Sequence, residues 1–218
     1  MDGEIARPEI IMQKTIKPRI APKLPAEWNA EELDALGTFP SARDFVLANW
    51  EKDPRGVNGL GVMLNHPAAT KAFLGFNNHV SIKSSLTKRV RELLILRISW
   101  LRRSEYEFIQ HTVLGLRAGI TEAEIERLQY GPDAAGWDPI DQDLVRAADE
   151  LMADACISDE TFARLSKNFS TEQIIDMIYA VGCYEIAAMM FKTLGAQLEP
   201  GVAPLSDEVR ARMYEEKK

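Results

Sequence analysis

The chain has 218 residues, 46% hydrophobic and 27% charged, with a formal net charge of −7. This suits a globular protein with a real core and excludes disorder over most of the length. An acidic balance with no long basic run argues against a nucleic acid partner.

No apolar stretch approaches the roughly 20 residues that span a bilayer, and Met1-Asp2-Gly3-Glu4 lacks the apolar run of a secretory leader. A cytoplasmic protein without a membrane partner is therefore expected. Pro8, Pro18, Pro22 and Pro25 mark residues 1–24 as an extended arm, either mobile or laid on a neighbouring subunit. Pro25 suits the first turn of a helix reaching about Leu36, with Gly37 after it. Ser41 can cap a helix through Trp50, and Pro54-Arg55-Gly56 breaks it. The glycines of Gly56-Val57-Asn58-Gly59-Leu60-Gly61 do not fit the dinucleotide fingerprint, so the segment reads as a turn.

Asn65-His66-Pro67 predicts a helix over 68–79. Ser84 or Ser85 opens a long run to about Leu101 whose apolar set, Val90, Leu93, Leu94, Leu96, Ile98 and Trp100, is too dense for one face. Ser104 opens the next helix, ending near Ala118 with Gly119 as its left-handed cap. Thr121-Glu122-Ala123-Glu124 is a capping box for a helix to Leu128, followed by a loop over 131–138. Helical spacing returns over 138–155, and Ser158 opens a short helix. A second capping box, Ser170-Thr171-Glu172-Gln173, starts a helix through about Leu198 that continues past Gly182. No long period-two alternation occurs, so the fold class is all-α. The single helical domain spans 25–200, and 201–218 reads as a tail.

Chemistry concentrates in two helices. Glu92 lies in the apolar run Arg91-Glu92-Leu93-Leu94-Ile95-Leu96-Arg97. Spacing alone favours an ion pair with Lys88, four residues away. The sharper reading is a partly buried acid whose proton affinity is raised by desolvation. His111 shares a helical face with Ser104, Glu107 and Phe108. An exposed Glu107–His111 pair and an acid–base imidazole in a pocket both fit that spacing. His66 reads as a cap, and His79 as either a pocket residue or a histidine at a helix C-terminus. No metal-ligand spacing is legible, and no cofactor is expected. Cys156 and Cys183 form no Cys-x-x-Cys and are expected to be reduced and packed as small apolar side chains.

At these residues the chain resembles the carboxymuconolactone decarboxylase family, which includes alkyl hydroperoxidase D-like proteins. The match centres on about 86–128: Arg91 to Arg97, then Ser104-Glu105-Tyr106-Glu107-Phe108-Ile109-Gln110-His111, then Ala118-Gly119-Ile120-Thr121. In the redox branch a glutamate, a Cys-x-x-Cys pair and a histidine form a relay around a peroxidatic thiol. Glu92 and His111 match the glutamate and the histidine, whereas Ser104 and Glu107 fall on the cysteine positions. A hydroxyl is not a peroxide-reactive thiolate, and a carboxylate cannot resolve a disulfide. In lacking the cysteine pair the chain looks closer to the decarboxylase branch.

The resemblance implies an alkyl hydroperoxidase D-like helical bundle, assembled as a homotrimer or a multiple of it, with the pocket near subunit contacts. The expected activity is a lyase or isomerase acting on a small oxygenated acid or lactone from aromatic-compound breakdown. His111, Glu92 and Glu107 are the expected acid–base groups. Arg97, or less favourably Arg91, is expected to hold a substrate carboxylate. Trp100, Tyr106 and Phe108 are the expected apolar wall, with Ser104 and His79 as further binding residues. The alternatives are a non-catalytic helical oligomer or binding module, and a peroxidase-related protein using Cys156 or Cys183.

Overall fold

A computed structural model describes residues 17–215, and among these there is no β-strand. The helices are α1 (Ala30–Leu36), α2 (Pro40–Asn49), α3 (Val57–Met63), α4 (Pro67–Asn78), α5 (Lys88–Leu101), α6 (Glu105–Arg117), α7 (Glu122–Tyr130), α8 (Pro139–Asp154), α9 (Asp159–Leu165), α10 (Thr171–Leu194) and α11 (Asp207–Tyr214). Most begin where a short polar side chain meets the orphan N–H groups of the first turn. Thr87, Thr121, Asp138, Ser158, Ser170 and Ser206 each accept such a bond.

Helix α5 is the axle of the fold. Every residue from Glu92 to Trp100 is buried, because α6, α8 and α10 pack around it. Leu93, Leu94, Ile95, Leu96 and Ile98 join Leu144, Val145, Ala147 and Ala148 of α8 and Met177, Ala180 and Val181 of α10 in the main core. Burying each large side chain contributes about 1.5–3 kcal/mol. A second cluster, including Leu36, Val46, Leu60, Leu64 and Leu74, binds α1 to α4 together.

Several boundaries differ from the sequence reading. The first helix does not run unbroken from Pro25: a 3-10 turn at Pro25–Glu27 precedes α1. Asn29 restarts the helix by capping it, with the Glu32 carboxylate returning to the Asn29 N–H at 2.9 Å. Helix α2 starts at Pro40 rather than after Ser41. A π-helical turn at His79–Lys83 carries α4 towards α5, whose cap is Thr87 rather than Ser84 or Ser85. Helix α10 stops at Leu194, not near Leu198, because Gly195 turns left-handed at φ 72°.

The glycine-rich segment is a helix, not a turn. Gly56 (φ 84°) begins α3, and Gly59 and Gly61 permit close packing. A Cβ at Gly59 would lie 2.8 Å from the Tyr106 hydroxyl, and one at Gly61 2.5 Å from the Lys23 carbonyl. The arm, from residue 17 onward, lies on its own chain: the Arg19 and Ile20 N–H groups donate to Leu194 O, and Lys23 N–H donates to Gly61 O at 3.1 Å. The earlier part of the arm, with Pro8, lies outside the described residues. The expected tail holds α11, which buries Met213 in the main core and ties Arg210 to Glu105 at 2.9 Å. Helix α10 also corrects the expectation about apolar stretches. By length and composition it could cross a membrane, but half of that stretch is buried within the fold.

Candidate active site

Helices α5 and α6 pack side by side, and Glu92 and His111 meet between them. Glu92 is only 3% exposed. Its Oε2 lies 2.7 Å from His111 Nδ1, and Arg91 Nη2 donates to Oε1 at 3.3 Å. Burial opposes the charge on Glu92, but His111 and then Arg91 outweigh it and hold the carboxyl below its usual range. This overturns both readings of Glu92 from spacing. Its partner is not Lys88, and its proton affinity is lowered, not raised. A carboxylate only accepts hydrogen bonds, so Nδ1 carries the imidazole proton and Nε2 is left as the basic nitrogen. The Tyr184 ring stands edge-on to the imidazole, centroids 4.8 Å apart.

Glu107 sits one helical turn before His111 yet does not pair with it. It is 1% exposed, and both its carboxyl oxygens, like Ser104 Oγ, lack a hydrogen-bond partner. Burial pushes its carboxyl well above the usual range; the nearby Ser104 hydroxyl opposes this only in part and is outside hydrogen-bonding geometry. The two acids of the site are therefore pushed in opposite directions, Glu92 towards its charged form and Glu107 towards its neutral form.

Both acids line a cavity of about 560 Å³ between the α1–α4 cluster and the main core. Phe39, Leu60, Met63, Phe73 and Phe191 supply apolar wall. Asn77, Ser81, Tyr106, Gln110, His111 and Tyr184 supply polar groups, and Arg55, Lys88, Arg91 and Arg117 bring positive charge to the lining. Arg55 is partly neutralised by Asp53, with Nε to Oδ1 at 2.7 Å. Such a lining suits a small, partly apolar anion.

Of the residues singled out in the sequence, Glu92, Glu107, His111 and Tyr106 line this cavity, and Arg97, Trp100, Ser104, Phe108 and His79 do not. Arg97 is wholly buried, its fork spent on Asp149 (2.6 and 2.7 Å) and the Leu128 carbonyl. Arg91, the less favoured of the two arginines, does line the cavity. Trp100 and Phe108 pack against each other in the main core, centroids 5.4 Å apart. Ser104 is buried at the start of α6. His79, its side chain 45% exposed, bonds Asp176 at 2.9 Å.

Tyr106 and Gln110 are braced by a residue that sequence reasoning missed. Glu199, buried in the chain after α10, accepts the Tyr106 hydroxyl at 2.7 Å, Asn58 N–H at 2.9 Å and Gln110 Nε2 at 2.9 Å. It lies outside any helical pattern, so no periodicity marked it. The cysteines also depart in part from expectation. Cys156 is exposed, whereas Cys183 is buried beneath Asn77, whose Nδ2 reaches its sulfur at 3.3 Å. Burial pushes the Cys183 thiol up to about 12, and neither thiol lines the cavity. Among the described residues no cluster of three or more His, Cys, Asp or Glu is arranged to hold a metal.

The architecture is that of an alkyl hydroperoxidase D-like helical core. A solved structure described as an alkylhydroperoxidase AhpD core, an uncharacterized peroxidase-related protein from Ralstonia eutropha JMP134, superimposes with a TM-score of 0.62. The alignment covers 84% of this chain and 94% of that one at 19% identity. Residues 67–150 match the carboxymuconolactone decarboxylase family, and this stretch carries Glu92, Glu107 and His111. Among curated proteins none matches.

Proposed function

We propose that this protein is a cofactor-independent lyase or isomerase that moves a proton on a small oxygenated acid or lactone. The observation that carries the reading is the 2.7 Å Glu92–His111 contact lining a 560 Å³ cavity. Arg91 and its cationic neighbours would hold the substrate carboxylate. In a decarboxylation, the carbon–carbon bond to the departing carboxylate breaks and its electron pair enters an enolate. His111, protonated and steadied by Glu92, then returns a proton to carbon. In an isomerisation, His111 Nε2 removes a proton from one carbon and returns it to another. The apolar wall keeps water from competing.

A peroxidase-related activity would need a thiolate beside the imidazole. Cys183 is walled off and held in its thiol form, and Cys156 is on the surface, so acid–base chemistry fits these residues better. A homo-oligomer belongs to the same proposal. Helix α10 leaves Ile175, Ile178, Tyr179, Ile186 and Met189 exposed at helical spacing, an apolar stripe suited to a second copy. Mass measurement in solution tests it, and a monomer at micromolar concentration would refute it.

The central test is a screen of lactones and keto acids with product mass read directly, run on the wild type and on His111→Ala. The variant should lose turnover and keep its helical circular dichroism. Full activity in the variant would remove the proton-transfer role.

A further inference from the structure

Among the polar groups that the proton-transfer pair leaves unused is Glu107. Glu107 lines the cavity with both carboxyl oxygens buried and without a partner. An unsatisfied buried carboxyl is costly, and a catalytic or ligand-binding role is one of the reasons a fold retains one. The groups electrostatically coupled to it on α10 are Cys183, Tyr184 and Glu185, none of them a cation. It makes no ion pair among the described residues, and the nearby Ser104 hydroxyl offsets the effect of burial only in part. His111 lies four residues further along α6, and side chains at that spacing stand about 5–6 Å apart at Cβ on one helix face. A carbonyl oxygen and the carbon next to it can lie between two such groups.

We infer that Glu107 is the hydrogen-bond donor for a substrate carbonyl oxygen, its carboxylic acid O–H pointing to the oxygen that becomes negative while His111 exchanges a proton at the adjacent carbon. The inference rests on the acid–base reading above and narrows the substrate class. The molecule carries, besides its carboxylate, a ketone or lactone carbonyl next to the carbon that gains or loses the proton. Glu107 keeps its own proton throughout. The charge that forms is on the substrate oxygen, and the proton that moves is carried by His111. A donor fixed in a water-poor pocket is worth most where charge develops.

The test uses the full chain and 4-nitrophenol, whose coloured phenolate imitates an enolate oxygen. At neutral pH the wild-type infrared spectrum should contain the carbonyl band of a protonated carboxylic acid. That band should shift when the probe binds and vanish in Glu107→Gln. Glu107→Leu should bind the probe about tenfold more weakly, the effect of one lost hydrogen bond to a charged acceptor. Glu107→Gln, which keeps an N–H donor, should stay within about threefold of wild type. His111→Asn should keep the band and the probe binding while losing turnover. A band unchanged by Glu107→Gln, a wild-type band indifferent to the probe, or undiminished binding by Glu107→Leu would each overturn the donor role. Full turnover in His111→Asn with the Glu107 results intact would instead sink the proton-transfer reading and leave the donor site standing.

Discussion

Glu92 Oε2 and His111 Nδ1 stand 2.7 Å apart across the seam of α5 and α6. The contact fixes the imidazole tautomer from one side, while the Tyr184 ring fixes its tilt from another. The imidazole thus has one defined nitrogen for chemistry, and His111 itself, then Arg91 on the far carboxylate oxygen, hold the acid below its usual range against the effect of burial.

Glu92→Gln keeps the shape of this contact and removes its charge. Turnover should fall by roughly 10²-fold, the lower range for a disturbed acid–base group, with helical content unchanged. Stability should respond to pH as well. The Glu92 carboxyl is held below its usual range, so its contribution is present above the ordinary carboxylate pKa and lost as pH falls through the folded value. Urea midpoints measured from pH 7 downward should therefore fall less steeply in Glu92→Gln than in wild type. Parallel curves would refute the assignment.

Glu107 has the opposite sign. Its folded carboxyl is held above the ordinary range, so the native state keeps a proton that the unfolded chain has released. Stability is then greatest below the ordinary carboxylate pKa and declines as pH rises towards the folded value. Glu107→Gln should be more stable than wild type at neutral pH, and its advantage should grow with pH. Thermal melts at pH 5, 6, 7 and 8 check this, and an advantage that shrinks with rising pH would contradict it.

Arg97 belongs to the fold rather than the ligand. Arg97→Met would leave Asp149 and the Leu128 carbonyl unpaired beside a filled core. The expected loss is about 3 kcal/mol, the scale for breaking a buried ion pair. Arg91→Met should weaken binding of small carboxylates in a direct titration, with a smaller cost in stability. Equal carboxylate binding by the wild type and Arg91→Met would remove Arg91 from the site.

Gly61 is where the arm meets α3. A methyl there would lie 2.5 Å from the Lys23 carbonyl and 2.8 Å from Pro22 Cβ, so Gly61→Ala should displace residues 21–24 and cost about 1–3 kcal/mol, the scale of overpacking. Faster amide exchange at Lys23, whose N–H donates to Gly61 O, is the accompanying signature. Unchanged exchange and stability would show that the arm contributes little.

The sequence by itself determined most of the helices, though not α3 or α11, and the burial of α5. Caps such as Thr121 and Ser170 and the apolar density from Leu93 to Ile98 act within a few residues, so their physics is local and readable. It also singled out Glu92, Glu107 and His111, because polar groups in such helices are conspicuous. Only the tertiary structure decided what each one meets. Glu92 meets a ring 19 positions away rather than Lys88, Arg97 meets an aspartate 52 positions away, and Tyr106 meets Glu199 across 93 positions. Proton affinity follows the same division. Two glutamates of identical chemistry are pushed in opposite directions, because desolvation and charge partners are properties of the packed environment and not of the residue type.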